Sequence, residues 1–302
     1  MERNSNNNKM GILMAVAAFF WGTTFVAQRM AAEHIPSFTW VAARALMAAF
    51  LLIPCIALMR KLGFSEKTAE PKNLWIGGIC CGVILFFSTS AQQWGLSFTS
   101  AGKAGFITAL YIVLVPILRM LFGKKVPLGI WISVVLATVG LYLLSVTEAF
   151  TIGIGDLLLL ACALFFSFHI LVVDHFSPKV EALALCQIQF LVSGVLAAIA
   201  ACFTETPTLG GLAAGFWPTL YAALFSGCIA YSAQIIGQRH MEPTRASLIM
   251  CLEAVFSLLA GWIILGERFT LREGLGTLLM FIAIVSSTLL TRERAQEVPE
   301  EA

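Results

Sequence analysis

The sequence predicts an all-α polytopic membrane protein, with ten transmembrane helices arranged as two inverted five-helix repeats. Three observations predict it. Of 302 residues, 59% are hydrophobic and only 12% charged, whereas soluble domains carry about 25% charged residues. Apolar stretches of the length needed to cross a ~30 Å hydrocarbon core recur along the whole chain. Finally, a lone cation opens an apolar run twice, Lys103 in FTSAGKAGFITAL (98–110) and Arg245 in HMEPTRASLIMCL (240–252). Ala104, Ile107 and Leu110 return as Ala246, Ile249 and Leu252 at the same offset of 142.

Residues 1–10 are polar and Asn-rich, and the apolar run 11–30 lacks a small-residue cleavage site. It is therefore expected to remain as the first span rather than leave as a signal. Spans 37–59, 74–94, 104–122 and 127–147 follow, so the first unit is expected over 11–147. Spans 156–173, 182–203, 214–237, 246–265 and 271–290 form a second unit over 154–290. The longest polar connection, 60–73, is a loop, which leaves no room for a soluble catalytic domain.

Charge orients the spans. With the tails 1–10 and 291–302 both cytoplasmic, fourteen of the nineteen Lys and Arg residues fall on the cytoplasmic side, four fall outside, and Arg44 lies within a span. That bias follows the positive-inside rule and supports this orientation. The net charge of +2 is too small to suggest nucleic acid. Trp75, Trp94, Trp131 and Trp217 sit near span ends, the depth indoles favour. The eight cysteines form no C-x-x-C pair and lie mostly in apolar runs, as small packing residues do. Neither a disulfide framework nor a metal site is expected.

The repeat extends beyond the cation motif. GKKVPLGIW (123–131) corresponds to GERFTLREG (266–274) at offset 143, and AAFFWGTT (17–24) resembles ACALFFSFH (161–169) near offset 145. Because five is odd, a second five-span unit must enter the bilayer with the opposite orientation. Such inverted repeats are the architecture of secondary transporters, in which two related units exchange conformations around a central site.

Several motifs resemble the drug/metabolite transporter superfamily, specifically its EamA family of ten-helix bacterial metabolite and amino-acid exporters. They are FFWGTTFVAQ (19–28) with Arg44 in the second span, GLSFTSAGKAGFITALYIVLVP (95–116) and PTRASLIMCLEAVFSLLAGWIILGE (243–267). The resemblance implies a central cavity lined by spans one to four and six to nine, with spans five and ten as peripheral supports. Ala254 follows Glu253 where the family usually has proline, which implies a straighter ninth helix.

Ionisable residues inside a bilayer are expensive, about 2.5–3.5 kcal/mol for a central Arg or Asp on insertion scales. Three lie well inside spans: Arg44, His169 and Glu253. Glu253 is a candidate site for a substrate ammonium or a proton, or else a paired structural acid. Arg44 is either a cation for a substrate carboxylate or one satisfied by helix carbonyls or an acid. His169 either bonds a backbone carbonyl or couples transport to protons. Glu253 and Arg44 together could bracket a zwitterion. Lys103 and Arg245 are candidate gating residues at opposite faces, with snorkelling to headgroups as the alternative. Polar residues at membrane depth should face a wet interior, which adds Thr24, Gln28, Gln92, Gln93, Gln187, Gln189 and Gln234. Trp21, Tyr111 and Tyr231 could wall a pocket or simply pack. GICCG (78–82) and AGKAG (101–105) suit close helix approach.

The function these features imply is alternating-access export of amino acids or related small polar or amphipathic compounds. No nucleotide-binding loop is present, and no cofactor is implied. The partners are a small-molecule substrate and the lipid bilayer, with proton coupling open and a monomer or weak homodimer as the assembly. An exporter of toxic organic cations is the alternative, kept by Glu253 although span one carries no acid. An intramembrane enzyme would need clustered carboxylates or paired histidines, and His34, His169, His175 and His240 are scattered.

Overall fold

The computed structural model describes residues 2–62, 71–98, 101–145, 153–265 and 270–297. Prolines and one glycine punctuate it. Helix α1 (Glu2–Ala32) ends shortly before Pro36, the N-cap of α2 (Ser37–Lys61). Pro71 opens α3 (Pro71–Leu96), because a proline in the first turn removes an N–H that has no helical partner anyway. The fourth span is built from α4 (Ala101–Ala109) and α5 (Tyr111–Leu121), interrupted at Leu110. Gly123 ends α5 with φ 75°. Its N–H bonds Met120 O at 2.9 Å and the Lys124 N–H bonds Arg119 O at 2.9 Å, the paired bonds of a Schellman cap.

Next come α6 (Leu128–Ser145), α7 (Ile154–Phe176) and α8 (Ala182–Thr204). The eighth span is irregular. It comprises α9 (Leu209–Ala214), α10 (Phe216–Tyr221), a π-helical segment Ala222–Ala230 and α11 (Tyr231–Gln238). The chain continues through α12 (Pro243–Met250), α13 (Leu252–Leu265) and α14 (Leu271–Glu297). The ninth span is thus interrupted at Cys251, although no proline lies there. Ser247 Oγ donates to Thr244 O at 2.8 Å and Cys251 Sγ to Leu248 O at 2.9 Å. Such side-chain bonds to the preceding turn compete with helical pairing and need no proline.

Among the described residues, eight segments are long and apolar enough to cross a bilayer, against ten expected; Leu128–Leu143 in α6 is apolar but shorter. Large apolar side chains such as Ile12, Phe50, Ile132, Val195, Ile199 and Ile263 stand exposed on the outside. Water does not tolerate apolar surface on that scale, whereas lipid does. The chain is a multi-pass membrane protein.

The helix pairings map onto themselves when the two halves are exchanged. Helix α2 packs on its counterpart α8, and α6 on its counterpart α14. The α3–α7 contact is matched by α1 against the eighth span, and α1–α13 by α7 against α4 and α5. Glycines permit the closest approaches. A Cβ on Gly82 of α3 would stand 2.7 Å from Gln189 O of α8, and one on Gly227, 145 residues later, would stand 2.6 Å from Ala48 Cβ of α2. The GICCG motif therefore acts in helix packing as expected. The AGKAG motif does not do so at Gly105, where no atom lies within 4 Å of a Cβ position.

Candidate functional site

The two ends of the bundle differ. At one end Arg60 pairs with Glu181 at 2.7 Å, joining α2 to the start of α8. Arg119 at the end of α5 pairs with Glu242 at 3.1 Å and donates to Thr244 Oγ1 at 3.3 Å, joining it to the start of α12. Arg239 donates to Val180 O. Each of these bonds links the halves or tightens the second half at what we call the arginine end. At the opposite end, both carboxylate oxygens of Glu205 cap α2. They accept from Phe38 N, Thr39 N and Thr39 Oγ1 at 2.7–2.8 Å, where an anion meets free N–H groups and the positive helix end.

Between the ends lies a cavity of about 570 Å³ of empty volume, counting its part open to solvent. Trp21, Thr24 and Gln28 of α1, Arg44 of α2 and Gln92 of α3 line it from the first half, with Tyr111 at the start of α5. Tyr231 and Gln234 of α11 and Glu253 of α13 line it from the second. Gln28 and Gln92 each lie four residues from the ends of their helices, so the cavity runs from mid-depth toward the Glu205 end. No lining residue comes from α6 or α14, which sit at the side as supports.

Helix irregularity positions these side chains. Tyr111 directly follows the interruption at Leu110, Glu253 is the second residue after the one at Cys251, and the Tyr111 hydroxyl donates to Glu253 Oε1 at 3.0 Å. The two residues are 142 apart, the spacing of the repeated cation motif. They are therefore equivalent positions of the two halves, meeting where the halves meet. Ser226 reaches the cavity from the π-helical segment, and Tyr231 follows it. π-Bulges often mark functional sites, because they re-aim side chains within a helix.

Arg44 is 7% exposed, and its guanidinium stands 4.7 Å from the centroid of the Trp40 ring one turn away. Among the described residues, no carboxylate pairs with it, and its Nε has no hydrogen-bond partner. Trp21 Nε1 and Gln234 Oε1 are likewise enclosed without partners. The cavity wall thus offers a cation, a donor and an acceptor.

Other expected site residues lie elsewhere. His169 is fully buried and bonds Gln189 at 3.0 Å; neither lines the cavity, although the His169 ring packs edge-on against the lining Tyr231 with centroids 6.0 Å apart. Gln93 accepts from Gln28 behind the wall, and Gln187 donates to Ala49 O at 3.4 Å. Arg245 is buried in the first turn of α12 beside the Arg119–Glu242 pair. Lys103 begins α4, but its side chain lies outside the described residues. The lining also includes Phe25, Thr89, Thr108, Phe166, Ile170 and Met250, which the sequence reading did not single out. A signal existed for some of them. Trp21 and Phe166, Phe25 and Ile170, and Thr89 and Gln234 are all pairs at offset 145, the register of the upstream repeat match.

A model of the EamA-like transporter family matches the chain twice, over residues 8–146 and 153–289. The chain belongs to the EamA-like transporter family. Relatives of this EamA-like chain span nearly its full length. An uncharacterized transporter of Archaeoglobus fulgidus is 31% identical over 277 residues, covering 91% of this chain and 84% of that protein. Another, from Bacillus subtilis, is 24% identical over 306 residues and covers 98% of both. A solved crystal structure superposes with a TM-score of 0.79 at 18% identity, covering 95% of this chain and 98% of the other, a likeness of fold. Membership in a family of transporters accounts for a lined cavity at membrane depth and points away from an enzyme.

Proposed function

We propose that this EamA-like protein is a secondary transporter that works by alternating access and exports amino acids or related small polar compounds. In this reading ten spans form two inverted repeats, over 11–147 and 154–290, with both tails in the cytoplasm of a cell bounded by an inner membrane. The observation that carries it is a cavity walled by equivalent elements of both halves and running toward one end of the bundle, with ion pairs between the halves at the other end. The positive-inside rule assigns the arginine end to the cytoplasm, so this conformation faces outward. Exchanging the conformations of the two halves would break Arg119–Glu242 and close the Glu205 end.

Counterflow in proteoliposomes tests the proposal. Saturable uptake of a labelled amino acid against unlabelled amino acid inside supports a carrier. Unsaturable flux, or chemical conversion of the solute, argues against one. A second reading, export of organic cations, draws on the Glu253 carboxyl in the cavity wall and expects amines to compete at least as well as amino acids.

A further inference from the structure

Arg44 is placed unlike the other arginines of known position. Arg60 and Arg119 sit at helix ends and pair with carboxylates, whereas Arg44 lies seven residues inside α2, about 10 Å along the axis at ~1.5 Å per residue. Snorkelling would carry its charge to water, yet the residue is 7% exposed. Satisfaction by helix carbonyls would show as hydrogen bonds, yet among the described residues none accepts from it and Nε is enclosed without a partner. Glu253, the acid on the same cavity, is engaged by Tyr111. The Arg44 guanidinium carbon stands over the Trp40 ring, 4.7 Å from its centroid. A cation held over an indole face is positioned without using its N–H donors, which leaves them available to an anion.

The geometry points to Arg44 as the anchor for a substrate carboxylate, with Trp40 as its positioning residue, so that the cavity selects small organic acids over amides and amines of the same shape. This assignment rests on the carrier reading for its substrate but not for its test. Planar, bidentate recognition is what an oriented guanidinium offers a carboxylate. A lysine in the same place could supply charge but not the fork. Trp21 Nε1 and Gln234 Oε1, both unpartnered on the same wall, are available to the rest of the ligand.

The experiment is a thermal-shift titration of the purified full-length protein with the protein amino acids, each beside its carboxamide and its decarboxylated amine. The expected result is stabilisation by at least one free acid and roughly tenfold or weaker binding of its amide and amine. In Arg44→Gln, affinity for that acid should fall roughly 10- to 150-fold, the loss of a charge-assisted pair. Arg44→Lys should lie between. Equal binding of acid, amide and amine by the wild type overturns the assignment, and so does an absence of stabilisation by every acid. Arg44→Gln binding within twofold of wild type overturns it too. Should Arg44→Gln fail to fold, the wild-type comparison of acid with amide decides alone. Counterflow separates the two claims. Acid binding without saturable counterflow defeats the carrier and spares the anchor, whereas equal counterflow of acids and amines defeats the anchor and spares the carrier.

Discussion

The contact between α1 and α13 offers a sharp test, because at Gly22 the halves pack closely beside the cavity-lining Trp21 and Glu253. A Cβ placed on Gly22 would stand 2.6 Å from Glu253 O, 2.6 Å from Phe256 Cβ and 2.7 Å from Ser257 N. Two of these atoms belong to the backbone, so no rotamer change relieves the clash. Ordinary contact starts near 3.4 Å, so Gly22→Ala must push the helices apart by about 0.8 Å. Overpacking of this kind costs roughly 1–3 kcal/mol, while exchanging Gly for Ala inside a helix returns about 1 kcal/mol. Gly105→Ala is the control: also helical, with nothing within 4 Å of its Cβ position. The propensity gain then cancels, and the difference between the variants isolates the packing cost. Thermal unfolding in detergent should place Gly22→Ala below Gly105→Ala by roughly 2–12 °C, at ~2–4 °C per kcal/mol. Because the displaced carbonyl belongs to Glu253, counterflow should fall as well. Equal midpoints, or a Gly22→Ala midpoint above that of Gly105→Ala, would refute close packing of α1 on α13.

Other expectations follow from single contacts. Tyr111→Phe removes the hydroxyl that meets Glu253 Oε1; it should lower stability by about 1–3 kcal/mol, and an unchanged unfolding midpoint would count against the pair. Glu205→Ala strips three hydrogen bonds from the start of α2. A loss of about 1–2 kcal/mol is expected, partly restored in Glu205→Gln, and measured by the same unfolding assay. A double-mutant cycle of Arg119→Ala and Glu242→Ala should give a coupling of only about 0.2–1 kcal/mol that shrinks in salt, because Glu242 is largely exposed. A coupling independent of salt would contradict a pair at the water interface. If that pair closes the arginine end, the same variants should also label faster with a soluble reagent at a cysteine introduced in the cavity, and unchanged labelling would speak against closure.

Much of this was legible in the sequence because a bilayer reduces folding to a few rules. Backbone groups must be satisfied within each span, so apolar length located most of the helices, and the offsets of 142 to 145 pointed to the repeat. The same logic made Arg44 and Glu253 conspicuous, since a charge at membrane depth needs a reason. What periodicity does not encode is which face of a polar residue looks where. His169 and Arg44 look equally suspect in sequence, but only packing bonds His169 to Gln189 and leaves Arg44 on the cavity wall beside Trp40. The pairing of Tyr111 with Glu253 and the interruptions ahead of them likewise arise where two halves meet, and neither half specifies them alone. Composition and spacing thus determined the membrane class and eight of the ten expected spans among the described residues, because those depend on local hydrophobicity. The tertiary structure decided which charges are paired, which glycines are closely packed and which side chains share the cavity wall, because each of those is a contact between distant parts of the chain.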